Sequence, residues 1–207
     1  MKFTNVFGLY YKLLYTCIMK EELSHTESFK IINEMIAKAK SNYEQSGSFY
    51  FLLWGWVVMV ANLGHFFLEK FTDYEYPFIF WLLTFPAAGL AIWYSTKKKS
   101  ASQTTSHFSR IYGQVWMTVG IGILISLVFM SKINFNHSAV ILMLAGMGTY
   151  ISGQLLRFNP LIFGAIALWI AAIVCFNLPQ TDQYLVGALG ILAGYIIPGY
   201  LLKSTEK

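Results

Sequence analysis

Few residues in this chain combine the chemical type and the spacing that a reactive site requires. Asn62 and His65 are three positions apart, so a helix through this segment places both side chains on one face. Imidazole and carboxylate groups bind metals and carry protons, and candidates to complete such a site are His137, Glu69 and Asp182. Hydrogen bonds to neighbouring groups would explain the same residues, so we assign no metal ligand.

The sequence lacks the motifs of common catalytic sites. It has no HExxH, GxSxG or CxxC pattern, and no glycine-rich loop precedes a lysine. The two cysteines, Cys17 and Cys175, are far apart in the chain and indicate neither a disulfide framework nor a metal site. We therefore predict no catalytic residue, no cofactor and no enzymatic activity.

Long apolar runs are the elements that must position these residues. Of the 207 residues, 56% are hydrophobic and 12% are charged, about half the charged share of a typical soluble domain. Runs of about 20 residues lack Asp, Glu, Lys and Arg, and a helix of that length matches the roughly 30 Å hydrocarbon core of a bilayer. The sequence therefore predicts an all-α fold, a polytopic membrane helix bundle at 49–202 with about six transmembrane helices and a tail at 203–207. The predicted spans are residues 49–68, 76–94, 111–130, 138–156, 160–176 and 183–202.

The distribution of basic residues predicts how the chain crosses the membrane. Of the 15 Lys and Arg residues, all except Lys70 and Lys132 fall on one side when the spans alternate in direction. Cytoplasmic connections carry an excess of Lys and Arg, so we predict a bacterial inner (cytoplasmic) membrane protein with both termini in the cytoplasm. The positive charge lies in short connections rather than on a soluble basic face, so membrane lipids, and no nucleic acid, are the expected partners.

Residues 1–18 resemble a signal peptide only superficially. Lys12 interrupts the apolar stretch, and no small-residue cleavage site follows it. Met19 opens a segment that reads like an ordinary cytoplasmic start. We therefore expect residues 1–18 to be an upstream extension of the reading frame or a disordered segment.

Residues 20–46 read as an amphipathic cytoplasmic helix. Ser24 and Glu27 have the spacing of a capping box, and apolar residues then recur every three or four positions. The apolar face is a candidate contact for lipid or for a protein partner, as is the basic cluster in a long connection predicted at 95–110. The contact residues that we assign are Phe29, Ile32 and Ile36 in the helix, and Lys97, Lys98 and Lys99 in the connection.

Polar and small residues within the spans indicate how the helices pack. Gln114 and Gln154 lie near the cytoplasmic ends of their spans, where we expect interhelical hydrogen bonds of about 1 kcal/mol each. Pro86 and Pro198 each remove a helical hydrogen bond, which favours a kink in the second and sixth spans. Small residues four positions apart favour close approach of helices. These pairs are Gly148 and Ser152, Ala167 and Ala171, and Gly190 and Gly194.

Several apolar strings resemble those of a known family. They are FYFLLWGW at 49–56, YPFIFW at 76–81, SGQLLRFNPLIFG at 152–164 and YIIPGYLL at 195–202, with SHTESFKIINEMI ahead of them. On these strings the chain is similar to a family of uncharacterised six-span integral membrane proteins of Bacteroidota. The resemblance implies a compact helical bundle with a cytoplasmic N-terminal helix, and it implies no activity or catalytic residue.

Three functional hypotheses are consistent with the sequence. The first is a non-enzymatic membrane interaction or regulatory module that uses the N-terminal helix. The alternative is a transporter or channel for a neutral or amphipathic small molecule, although no Asp, Glu, Lys or Arg lies at mid-membrane depth to couple ions. A third is a membrane enzyme acting at the outer surface through His65 and His137. Residues expected to line a transport pathway are Asn62, Gln114, Thr149 and Gln154.

Overall fold

A computed structural model describes residues 47–101 and 107–205 of the chain, with side chains for 47–97 and 110–205. The segments predicted at 1–18 and 20–46, the latter with Phe29, Ile32 and Ile36, lie outside the described residues, as do the side chains of Lys98 and Lys99.

The described residues form seven α-helices, one 3₁₀ segment and one π segment. The 3₁₀ segment leads directly into α2, and the π segment joins α6 to α7 in one continuous stretch. In chain order the elements are α1 (Gly47–Phe71), the 3₁₀ segment (Pro77–Leu83), α2 (Thr84–Ala101), α3 (His107–Val128), α4 (His137–Leu156), α5 (Asn159–Cys175), α6 (Gln180–Ile191), the π segment (Leu192–Ile196) and α7 (Ile197–Thr205).

Five of the helical stretches have the length and the apolar composition to cross a bilayer, which confirms the predicted fold class. The helix α5 is shorter, with 17 residues and a length of about 26 Å. It still runs from one end of the bundle to the other, because Gln183 at the start of α6 donates a 3.0 Å hydrogen bond to Asn136 at the start of α4. Since α5 links the end of α4 to the start of α6, it must traverse the same distance as its neighbours.

The connection predicted at 95–110 is helical over most of its length. The helix α2 continues to Ala101 and α3 begins at His107, so helical structure includes Lys97, Lys98 and Lys99. Lysine is a good helix former, and positive charge near a helix C-terminus interacts favourably with the helix dipole. The apolar run ends near residue 94, but the helix continues past it because the lysines that follow favour helical structure.

The helix α1 packs antiparallel to the continuous stretch α6–α7 along its full length. A Cβ added to Gly55 would lie 2.9 Å from Cγ1 of Ile196, and one added to Gly187 would lie 3.0 Å from Oδ1 of Asn62. Both contacts are closer than ordinary side-chain packing, so the two helices approach each other through glycine at both levels. This register brings the end of α1 onto the first turns of α6.

The core lies between α4, α5 and the α6–α7 stretch. A Cβ on Gly164 would lie 2.8 Å from the backbone oxygen of Gly194, and one on Gly146 would overlap the indole of Trp169. The small pairs predicted to permit close approach are largely part of this core, since Gly148, Ser152 and Gly190 are buried.

Each proline predicted to kink a span lies where the helix changes type. Pro86 is in the first turn of α2, directly after the 3₁₀ segment, where a missing backbone N–H is tolerated. Pro198 is in the first turn of α7, directly after the π segment. The change in hydrogen-bond pattern therefore accommodates the proline at both positions.

Candidate functional site

The pair of residues predicted to share a helix face lies near the end of α1, against α6. Asn62 is 5% exposed and His65 is 8% exposed. The Asn62 side-chain amide donates a 2.8 Å hydrogen bond to the carbonyl of Val58 in its own helix, and its oxygen faces Gly187 of α6. Both side chains are thus held between the two helices rather than presented to the surroundings.

Three groups from different parts of the chain surround the His65 imidazole. Trp81, in the 3₁₀ segment, donates a 3.1 Å hydrogen bond from Nε1 to Nδ1 of His65. The Nε2 atom lies 3.3 Å from Oε2 of Glu69, one turn further along α1. The ring of Tyr184 in α6 stacks on the imidazole, with 3.8 Å between ring centroids and an interplanar angle of 25°.

These contacts define which nitrogen of the neutral imidazole carries the proton. Because Nδ1 of His65 accepts the indole N–H, its lone pair must be free of a proton. In the neutral ring the proton is then on Nε2, where it points toward the Glu69 carboxylate. Both nitrogens of His65 therefore have a partner, and neither is available to attack or bind another group.

Charged and hydroxyl groups close the rim of the same contact between α1 and α6. Lys70 Nζ lies 2.6 Å from Oδ1 of Asp182, and both side chains are partly exposed. Thr181 donates a 3.0 Å hydrogen bond to Oε1 of Glu69. Glu69 thus links the hydroxyl of α6 to the imidazole of α1.

The start of α4 contributes a second histidine to this end of the bundle. The ring of His137 lies 6.3 Å from that of Tyr184, and His137 is buried. Next to it, Gln183 donates hydrogen bonds to Asn136 Oδ1 at 3.0 Å and to the carbonyl of Leu178 at 3.1 Å. Among the described residues, Nδ1 of His137 and Oε1 of Gln183 are buried without a hydrogen-bond partner.

The structure brings together part of the predicted metal or proton site. His65 and Glu69 are in contact, and His137 lies beside the same tyrosine, whereas Asp182 pairs with Lys70 instead. Within the described ranges, no group of three or more His, Cys, Asp or Glu residues has an arrangement that could hold a metal ion. The cluster is a hydrogen-bonded junction of four elements, namely α1, the 3₁₀ segment, α4 and α6.

Sequence reasoning did not find Trp81, Tyr184 or Gln183 as members of this cluster. A signal for two of them exists, because alternating spans bring the start of the sixth span to the side where the first span ends. Tyr184 and Gln183 lie in the first turns of that span. The indole of Trp81 gave no such signal, since tryptophan near a membrane interface is expected without any partner.

The other predicted polar positions lie outside the cluster. Gln114 is exposed on α3, and Gln154 donates a 3.2 Å hydrogen bond to the Tyr150 hydroxyl within α4. The interhelical bond expected for Gln154 is thus replaced by one between adjacent turns of its own helix. Lys97 lies over the ring of Trp93, with 4.4 Å from Nζ to the centroid, a cation–π contact in α2.

The fold defines the class of the protein: an integral membrane protein with several membrane-crossing helices. Comparison with protein-family models, with curated proteins and with solved structures found no match. The resemblance to the six-span proteins of Bacteroidota therefore stays a prediction.

Proposed function

We propose that the protein is a non-enzymatic membrane interaction or regulatory module, in which the cytoplasmic N-terminal helix contacts a protein partner or the inner leaflet. The observation that carries this proposal is the filled interior of the bundle over its described residues. Glycines at the helix contacts meet large side chains or backbone directly, so these contacts leave no space for a solute. A cavity of about 310 Å³ beside Gly164 is lined by the exposed side chains of Phe163 and Leu201 and opens to the outside of the bundle. A bundle of this kind suits a scaffold better than a conduit.

The buried hydroxyl groups of the core support the same conclusion. Thr149 donates a 2.8 Å hydrogen bond to the carbonyl of Ala145, and Ser152 donates a 2.7 Å bond to that of Gly148. Both side chains are fully buried, and both bonds are made within α4. Their polar atoms are satisfied by their own helix, so they offer no binding surface to a passing molecule.

A transporter or channel has weaker support from the geometry. Of the residues expected to line a pathway, Gln114 and Gln154 are exposed on the outside of the described bundle, while Asn62 and Thr149 bond to their own helices. An enzyme acting through His65 also has weak support, because both imidazole nitrogens already have partners.

The proposal includes a bacterial inner membrane location with cytoplasmic termini. At the end where α1 meets α6, the described cations are Lys70, which is paired with Asp182, and Lys132. Connections of the cytoplasmic side carry the excess of Lys and Arg in such membranes, so the opposite end is assigned to the cytoplasm. The described cations at that end are Lys97, Arg110, Arg157 and Lys203.

A variant pair tests the role of the N-terminal helix. Replacing its apolar face, with Phe29→Ser, Ile32→Ser and Ile36→Ser, is expected to abolish crosslinking of the full-length protein to its partner in cells. The control replaces the polar face of the same helix, with Lys30→Gln, Glu34→Gln and Lys38→Gln, and is expected to retain the crosslinks. Membrane extraction of both variants checks insertion, and equal crosslinking of the two variants would overturn contact of this helix with a protein partner.

A further inference from the structure

The 3₁₀ segment is attached to α1 through two adjoining contacts. It is seven residues long, longer than most 3₁₀ runs, and none of its residues is buried. The ring of Phe80 occupies the space beside Gly64, where a Cβ would overlap that ring. The second contact is the 3.1 Å hydrogen bond from Trp81 to His65.

The hydrogen bond from Trp81 depends on the protonation state of His65. Indole nitrogen only donates, and Nδ1 of imidazole accepts only while it carries no proton. Protonation of Nδ1 would set two N–H donors against each other at 3.1 Å. The hydrogen bond is then lost, while the packing of Phe80 against Gly64 remains.

We propose that His65 is a proton-sensitive latch, which holds the 3₁₀ segment against α1 while it is neutral and releases the segment when it is protonated. Acidification of the compartment next to this end of the bundle is the signal. The segment that would move is Pro77–Leu83, which begins the second span and precedes the helix-type change at Pro86.

Charged and titratable groups around His65 define how the latch receives the proton. On α1, Glu69 lies 3.3 Å from Nε2 and serves as the counter-ion of the imidazolium. From α6, Tyr184 stacks on the ring, and Asp182 is engaged with Lys70. The 3₁₀ segment has the sequence PFIFWLL and brings no charge of its own.

The second histidine of this region requires its own control. His137 of α4 lies beside Tyr184 and is a second imidazole that could take up a proton. It forms no described hydrogen bond with the 3₁₀ segment, so its protonation has no direct route to Trp81. A response that belongs to His65 must therefore persist when His137 is replaced.

Fluorine NMR of the full-length protein in nanodiscs tests the latch. Biosynthetic 5-fluorotryptophan gives a signal for each of the 6 tryptophans, and Trp81→Phe identifies the one that matters. Between about pH 8 and about pH 4, a range chosen to allow for the burial of His65, the Trp81 resonance is expected to titrate in one step. In His65→Asn, where the amide oxygen replaces Nδ1 as a non-titrating acceptor, the resonance is expected to stay at its high-pH position.

The control variant His137→Asn is expected to retain the titration of the Trp81 resonance. A Trp81 resonance that does not move in the wild type, or that still moves in His65→Asn, would overturn the proposal, as would loss of the response in His137→Asn alone. Hydrogen exchange of the wild type gives a test that needs no variant. After correction for the intrinsic rate, exchange in residues 77–83 should be about tenfold faster at the lower pH, and an unchanged rate contradicts the latch.

Discussion

The side of the bundle built from α4 to α7 and the side built from α2 and α3 are both apolar, yet they pack differently. Within an 18-residue apolar window of each span, 50% of residues are buried for His137–Leu156 and 56% for Gln180–Thr205. The shares are 6% for Pro77–Lys97 and 17% for Arg110–Val128. Because lipid is as apolar as the side chains, hydrophobicity does not decide which helices form the core.

The surroundings of the glycines show what decides which helices form the core. On the packed side, the positions of Gly164 and Gly194 are in direct contact with neighbouring backbone or side chains. On the exposed side, a Cβ at Gly89, Gly113 or Gly120 would meet nothing within 4 Å beyond its own helix backbone, whereas Gly122 of α3 packs against α4. Close approach of helix backbones, and the dispersion contacts that it permits, therefore distinguishes the core from the lipid-facing side.

The largest expected effect on stability comes from creating a cavity on the packed side. Leu168 of α5 is fully buried and lies on Gly194, so Leu168→Ala leaves a cavity that neighbouring side chains cannot fill. We expect a loss of about 3 kcal/mol in the free energy of unfolding, measured by reversible unfolding in mixed micelles. The matched change on the exposed side, Ile92→Ala, should cost below about 0.5 kcal/mol, because this side chain is 65% exposed to lipid. Similar losses for the two variants would contradict the distinction.

The second largest expected effect on stability comes from adding a methyl group where two helix backbones are in contact. Gly164→Ala places a Cβ 2.8 Å from the carbonyl oxygen of Gly194, and backbone must move to admit it. In the same unfolding measurement we expect a loss of about 2 kcal/mol.

The control for this substitution is Gly120→Ala in α3. Its Cβ meets nothing, and alanine has the better helix propensity, so the protein should be unchanged or stabilised by up to about 1 kcal/mol. A loss at Gly120 equal to that at Gly164 would show that the α3 position also packs against a neighbour.

These contrasts explain which parts of the fold were predictable. Charge-free runs of sufficient length are visible in the sequence, so the number and approximate position of the membrane-crossing helices were predicted well. The choice of core face was not predictable from apolarity, because Leu168 and Ile92 are equally suited to lipid. Only the small residues at four-residue spacing, such as Gly190 and Gly194, pointed to the packed side.

The contacts around His65 were predicted only in part, because sequence patterns do not show which helices are neighbours. The face shared by Asn62 and His65 follows from helical spacing alone. The contacts of His65 with Trp81 and Tyr184 depend on which helices are neighbours and on a 3₁₀ segment at the start of the second span. Helical periodicity carries no information on either, so the hydrogen-bond partners could not be assigned from the sequence.

The smallest expected effect lies at the rim of the packed side, where Lys70 pairs with Asp182. The 2.6 Å contact joins α1 to α6, but the two side chains are 45% and 35% exposed, so solvent screens the pair. We expect Lys70→Gln to cost below about 1 kcal/mol in the free energy of unfolding and to cost less as salt is raised. Lys132→Gln, an exposed lysine at the same end, controls for the change in net charge. A salt-insensitive loss above about 2 kcal/mol at Lys70 would mean that the ion pair, and not the glycine contacts beneath it, holds α1 onto α6.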